Sequence, residues 1–221
     1  MTRTLVRLGL WALPVGGVLT FLPWLGIFIG GGNSDPGQDP EGFARGSTSP
    51  FVLLLGDLYI IGTLCILFGV LALAAVLAGT RGESWAAVGA VAGAIAMVIV
   101  IGIWMVLTIA DAVVGDVVLS GHKDAGEAFK YMSGGHWNSR AVPAFVALVG
   151  TGLIGTVGLA VGIWRSGLYP KWLAIGFGID FFLEAGSSPP TIIGALLMVI
   201  TGFLIAQRGE LPTPARQAAT T

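Results

Sequence analysis

Charge is what this chain has least of. Of its 221 residues only 10% are Asp, Glu, Lys or Arg, against 55% hydrophobic, and the mean hydropathy is +0.88. A water-soluble domain carries about 25% charged residues. A chain this apolar cannot coat itself with polar surface, so lipid is the solvent that fits. The net charge of −1 leaves no basic footprint for nucleic acid, which is set aside as a partner. The single cysteine, Cys65, allows no intrachain disulfide, and the redox compartment cannot be read from it. The three lysines, Lys123, Lys130 and Lys171, fall at or beyond the ends of apolar runs, which argues against a retinal Schiff base in a membrane core. Both histidines, His122 and His136, fall in one loop, so facing helices cannot hold a haem between them. With Asp124 and Glu127 between them they show no recognised metal spacing, and a solvated loop is the expected state. There is no P-loop, no G-x-G-x-x-G and no C-x-x-C, and no cofactor is expected.

Apolar runs are what the chain has instead. A spanning helix needs about 20 apolar residues, since the hydrocarbon core is about 30 Å thick and a helix rises about 1.5 Å per residue. Runs at 9–29, 51–78, 85–114 and 141–164 meet that length or nearly so. A final stretch, 172–206, is too long for one span and is broken by Glu184-Ala-Gly-Ser-Ser-Pro-Pro190, a turn signal. It divides into 172–183 and 191–206. The expected fold is therefore all-α: a polytopic transmembrane bundle of six spans, or of five if the short 172–183 piece is a re-entrant half-helix. Ser49-Pro50 reads as N-cap and first residue of the second span, Ser84 as a cap for the third, and Ser188 with its two prolines as the start of the sixth. Pro14 and Pro23 are expected to kink the first span. Arg3 and Arg7 ahead of a long apolar run, with no small-x-small cleavage site, read as a retained signal-anchor. Residues 1–207 then form one membrane domain, and 208–221 a disordered tail.

Orientation follows from the basic residues. With the N-terminus inside, the inner segments hold Arg3, Arg7, Arg81, Arg165, Lys171, Arg208 and Arg216, and the outer ones Arg45, Lys123, Lys130 and Arg140. The bias puts both termini in the cytoplasm of a multi-pass cell-membrane protein, which requires an even number of spans. Trp11, Trp85, Trp164 and Trp172 mark the inner interface, Trp24 and Trp137 the outer. Two outer loops stand out: 30–49, rich in Gly, Pro and Asp, and 120–140, with a short amphipathic helix expected around 123–132. Glycine is abundant, 35 residues, and falls at four-residue spacing as Gly89/Gly93 and Gly158/Gly162. Such faces let backbones approach closely, either within the chain or in a homo-oligomer.

Ionisable groups inside a bilayer are costly and so are candidates for function. The spans contain Asp57, Asp111, Asp180 and Glu184, all in the outer half under this topology, with Asp116 just beyond. Asp180 lies about 13 Å along its segment and Glu184 one turn further on the same face. Arg140 and His136 enter at the outer end of the fourth span and can supply counter-charge. The expected site is an outward-facing polar cavity built from Asp57, Asp111, Asp180, Glu184, Arg140 and His136, binding a small solute or a proton. Structural readings compete at each position: Asp111 and Asp116 in the headgroup region, Glu184 in the turn, Asp57 and Asp180 in interhelical hydrogen bonds. Tyr59 reads as a packing residue.

The segment Trp164-Arg-Ser-Gly-Leu-Tyr-Pro-Lys-Trp-Leu-Ala-Ile-Gly resembles a linker of small bacterial multi-spanning membrane proteins of unknown function. There a span ends in an Arg-Ser-Gly-like turn and Pro-basic-Trp-Leu opens the next. The resemblance covers the C-terminal third and implies a five- or six-span bundle, with no activity. In chemical type alone, Asp57 and Asp180 are also similar to the buried acids of membrane-embedded terpene cyclases, which protonate an isoprenoid. Three readings follow. The first is a solute- or proton-binding membrane protein. The second is a membrane enzyme using Asp180, Asp57 or Glu184 as general acid on a lipid-like substrate. The third is an accessory subunit docking through its glycine faces.

Overall fold

The computed structural model describes residues 3–29, 35–131, 137–184 and 188–209. Among these residues the chain forms eight helices and no strand: α1 (Arg3–Ile29), α2 (Pro40–Ser47), α3 (Pro50–Leu77), α4 (Glu83–Leu119), α5 (Asp124–Tyr131), α6 (Trp137–Ser166), α7 (Lys171–Glu184) and α8 (Ser188–Arg208). Five of them are long and apolar enough to cross a bilayer: α1, α3, α4, α6 and α8. The sixth expected segment is a helix too, but α7 has 14 residues and rises only about 21 Å. Pro14 and Pro23 both lie within the continuous α1.

Glycine decides which helices touch. Along α1 and α3, Gly9, Gly16, Gly62 and Gly69 bring the two backbones together; a Cβ on Gly16 would stand 2.7 Å from the Gly62 carbonyl oxygen. A second seam joins α4 to α6. A Cβ on Gly158 would lie 2.7 Å from the Gly89 Cα, and one on Gly155 2.6 Å from the Gly93 nitrogen. The glycine faces, which the sequence left open to packing within the chain or against another copy, meet each other inside the chain. The third unit is the antiparallel hairpin of α7 and α8, where Gly176 meets Thr201. Its α8 runs back along α1, with Gly17 against Val199 and Gly202 against Pro14. The register brings Gly209 beside Leu10, so the start of α1 and the finish of α8 share one end of the bundle, the terminal end.

That end holds the packed core. Leu10, Leu13, Leu73, Leu77, Leu159, Ile163, Leu173 and Ile205 are all buried there. Toward the other end the bundle loosens. Between Ala96 and Gly115, α4 has no buried residue.

The opposite end carries a small cap. With 37 residues, α4 is about 55 Å long, well beyond the roughly 30 Å of hydrocarbon. Its last turns pack on α2, with Gly115 against Ser47 and Thr48. The loop 30–49 therefore contains a helix that hydropathy hid. Asp39 caps α2 by accepting from the Gly42 N–H at 2.9 Å, and Pro40 takes the first helical position. The expected short helix near 123–132 is α5; its Phe129 ring lies 6.0 Å from that of Phe43 on α2. Lys123 pairs with Glu41 at 2.5 Å and Lys130 with Asp35 at 2.7 Å. The Lys130 hydrogen bond, helped by the Gly37 N–H, holds the Asp35 carboxyl below its ordinary range, and Lys123 does the same for Glu41.

One further boundary differs from the sequence reading. Ser84 lies inside α4, because the turn before it is closed differently. Glu83 Oε2 accepts from the Gly79 N–H at 2.8 Å and Thr80 Oγ1 from the Gly82 N–H at 3.2 Å. Ser49 does hold the cap position of α3, but its side chain makes no capping bond.

Candidate functional site

Where the two glycine seams and the α7–α8 hairpin meet, they do not close completely. A cavity of about 130 Å³ remains, walled by α1, α3, α4, α6, α7 and α8. It sits at mid-bundle: its wall on α3 runs from Tyr59 to Val70, in a helix that spans Pro50–Leu77. The lining is mainly apolar, including Ile66, Met97, Val100, Leu148, Leu159, Phe177 and Met198. Its polar members are Thr20, Tyr59, Thr63, Thr156 and Asp180.

Among the described residues, Asp180 is the one acid in that wall. It is 2% exposed, nine residues and about 13 Å into α7. It is also engaged in a contact within the bundle. Two of the threonine hydroxyls spend their protons on their own helices: Thr20 donates to the Gly17 carbonyl at 3.1 Å and Thr63 to the Tyr59 carbonyl at 2.9 Å. Their oxygens are left with lone pairs to offer.

On the capward side of the cavity three aromatic rings from three helices form one cluster. Tyr59 stacks on Trp104 with centroids 4.4 Å apart, and Trp24 stands edge-on to both, at 6.5 Å from Tyr59 and 6.1 Å from Trp104. Tyr59 belongs both to this cluster and to the cavity wall. The Trp104 indole N–H is buried and finds no acceptor among the described residues.

Among the described side chains, the acids expected to share one site are dispersed. Of those whose side chains are described, only Asp180 reaches the cavity. Asp57 is exposed on α3, in a stripe with Leu54, Ile61, Leu64, Phe68 and Leu71 that faces away from the bundle. Asp111 is half-buried on α4, outside the cavity wall, and Asp116 is exposed beyond it. Glu184 is the last residue of α7 and Arg140 lies in the first turn of α6; their side chains are not among the described ones. His136 lies outside the described residues, and His122 is exposed. Among the described residues, no group of three or more His, Cys, Asp or Glu is placed to hold a metal.

Sequence reasoning missed the threonines and understated Tyr59. A hydroxyl inside an apolar run was the available signal, but such groups bond to their own helix so often that the signal is faint.

Compared with family models, with curated proteins and with solved structures, the chain matches none. Its class therefore rests on its own geometry: a polytopic helical bundle with apolar flanks and a mid-bundle cavity with the buried acid Asp180 in its wall.

Proposed function

We propose that this chain is a multi-pass protein of the cell membrane whose central cavity binds a small solute or proton and passes it toward the outer face. The observation that carries the reading is Asp180, 2% exposed and in the wall of the mid-bundle cavity. An acid at that depth is expensive in lipid and persists where it has work to do. In this reading α7 completes a six-segment bundle, and both chain ends lie in the cytoplasm. The positively charged side supports that orientation: Arg3, Arg7, Arg81, Arg165, Lys171 and Arg208 gather at the terminal end. The packed core then seals the cytoplasmic half, which leaves the looser, capward half as the route to the cavity.

The test is proton flux in proteoliposomes containing a trapped pH indicator, under an imposed pH gradient. The wild-type chain is expected to dissipate the gradient faster than empty vesicles. Asp180→Asn removes that difference, and Asp116→Asn, at the exposed end of α4, retains it. Equal flux in Asp180→Asn and wild type refutes the reading for protons, and unchanged solute uptake refutes it altogether.

A further inference from the structure

The two ends of the bundle treat their cations differently. At the cap, Lys123, Lys130 and Arg45 are each paired with Glu41 or Asp35. At the terminal end Arg3, Arg7, Arg81, Arg165, Lys171 and Arg208 are all exposed. Among the described residues, none of these six forms an ion pair. Glu83, the only acid whose side chain is described at that end, is turned back on its own chain, accepting from the Gly79 N–H at 2.8 Å. The cap is neutralised from within, whereas the terminal end keeps a surplus of positive charge that no described acid balances.

Three of these cations flank the place where two turns approach each other. The α3–α4 turn lies against α6 so closely that a Cβ on Gly82 would run into the Gly162 carbonyl oxygen. Arg81 immediately precedes Gly82, and Arg165 follows Gly162 within one helical turn. Lys171 opens α7 beyond the next turn, its Nζ 5.0 Å from the centroid of the Trp164 ring, within cation–π reach. Trp85, Trp164 and Trp172 are exposed around them. Tryptophans on a membrane protein settle at the level of the lipid headgroups, so these cations stand where phosphates are. Toward mid-bundle the exposed side chains on the same two helices are apolar: Val88 and Val91 on α4, Val157 on α6. Charge followed by hydrocarbon is the order of groups along a phospholipid.

We infer that this flank binds anionic phospholipid, with the phosphate at Arg81, Arg165 and Lys171 and the acyl chains along α4 and α6. A guanidinium can grip two phosphate oxygens at once, and the lysine adds a point charge. A zwitterionic lipid carries its own cation beside the phosphate, which offsets the attraction, and a net-negative lipid does not. Association is reversible and forms no covalent bond. It requires neither the cavity reading nor a particular orientation of the bundle.

The experiment reconstitutes the full chain in phosphatidylcholine vesicles carrying, in both leaflets, a rising fraction of brominated phosphatidylglycerol or brominated phosphatidylcholine. Bromine quenches nearby tryptophan, so the two quenching curves compare the affinity of the protein surface for each lipid. Wild type is expected to prefer phosphatidylglycerol by about fivefold at low salt, the worth of one basic contact with an anionic surface. At about 1 M salt, where charges are screened beyond about 3 Å, most of that preference is lost. The triple variant Arg81→Gln, Arg165→Gln, Lys171→Gln loses most of it at low salt too. Its quenching by brominated phosphatidylcholine stays at the wild-type level, which shows that it is folded. Lys123→Gln with Lys130→Gln, at the cap, keeps the preference. Equal quenching of wild type by the two lipids overturns the inference, as does a triple variant with its preference intact or a cap variant that loses as much. If inorganic phosphate abolishes the preference where sodium chloride of equal ionic strength does not, the flank is a site for a soluble anion, and the lipid inference is overturned.

Discussion

Tyr169 shows what a single buried group costs this chain. It sits in the turn between α6 and α7, 5% exposed, with its hydroxyl near Gly209 and no hydrogen-bond partner among the described residues. Burial pushes its phenol up to about 12. A folded-state value above the unfolded one means that the contribution to stability is intact below about pH 10 and is lost as pH rises toward about 12. Tyr169→Phe removes both the orphaned hydroxyl and this titration. The variant is expected to match or exceed wild-type stability at pH 7, by up to about 1 kcal/mol, and to lose less stability than wild type between pH 10 and 12. Thermal unfolding in detergent at stepped pH measures both. A variant markedly less stable at pH 7 would show that the hydroxyl has a partner after all. The scale of one residue is also where the sequence was least legible. Asp57 and Asp180 look alike in the chain, yet one faces outward from α3 and the other lines the cavity. In a water-soluble helix the polar stripe tells which side faces out. Here lipid and core are both apolar, so the rotation of a helix about its axis leaves almost no trace in composition.

Helices, by contrast, could be read to within about six residues at either end. The runs at 9–29, 51–78, 141–164 and 191–206 each fall within a few residues of α1, α3, α6 and α8, because the length of an apolar run is set by membrane thickness. The run at 85–114 stops five residues short of the end of α4, just before Asp116, although the helix continues to Leu119. Hydropathy reports the lipid and not the hydrogen-bond ladder. For the same reason α2 was hidden in a loop rich in Gly, Pro and Asp, though Asp39-Pro40-Glu41 is a helix-start signature in its own right. The glycine seams give these elements a direct test. At Gly89 an added methyl would run into the Leu159 backbone nitrogen and the Gly155 carbonyl of α6, whereas at Gly102, on the same α4, it would meet nothing within 4 Å. Gly89→Ala is expected to destabilise by about 1–3 kcal/mol through overpacking. Gly102→Ala is expected to be neutral or to stabilise by up to about 1 kcal/mol through helix propensity. Unfolding temperatures of the two variants in one detergent should therefore move in opposite directions or differ by the full cost of the clash. Similar losses in both would mean that α4 and α6 do not meet along this seam.

The bundle has two unlike ends, one a packed core where the start of α1 and the finish of α8 meet, the other a charged cap. The orientation proposed above makes a prediction at this scale that needs few substitutions, because the chain has a single cysteine. In a Cys65→Ser background, Gln38→Cys lies beside α2 in the cap, while Ala78→Cys and Gln207→Cys lie at the terminal end, all three at exposed positions. A membrane-impermeant maleimide applied to intact cells is expected to label position 38 alone, and positions 78 and 207 only after the membrane is opened. The reverse pattern would invert the bundle, and labelling of 207 but not 78 from outside would mean that α7 and α8 do not bring the chain back to its starting side.

The overhang of α4 has a practical meaning for anyone who needs to hold this protein still. A 22.7 kDa chain sunk in lipid gives a detergent micelle almost no outline, and most of its surface is featureless alkyl groups. The cap is the exception: α2 and α5, clamped by Lys123–Glu41 and Lys130–Asp35, form a compact folded epitope. They stand on a helix that runs unbroken into the glycine seam with α6. An antibody fragment raised against that epitope would be coupled to the membrane core by a single rigid rod, and would report the orientation of the bundle without touching the cavity.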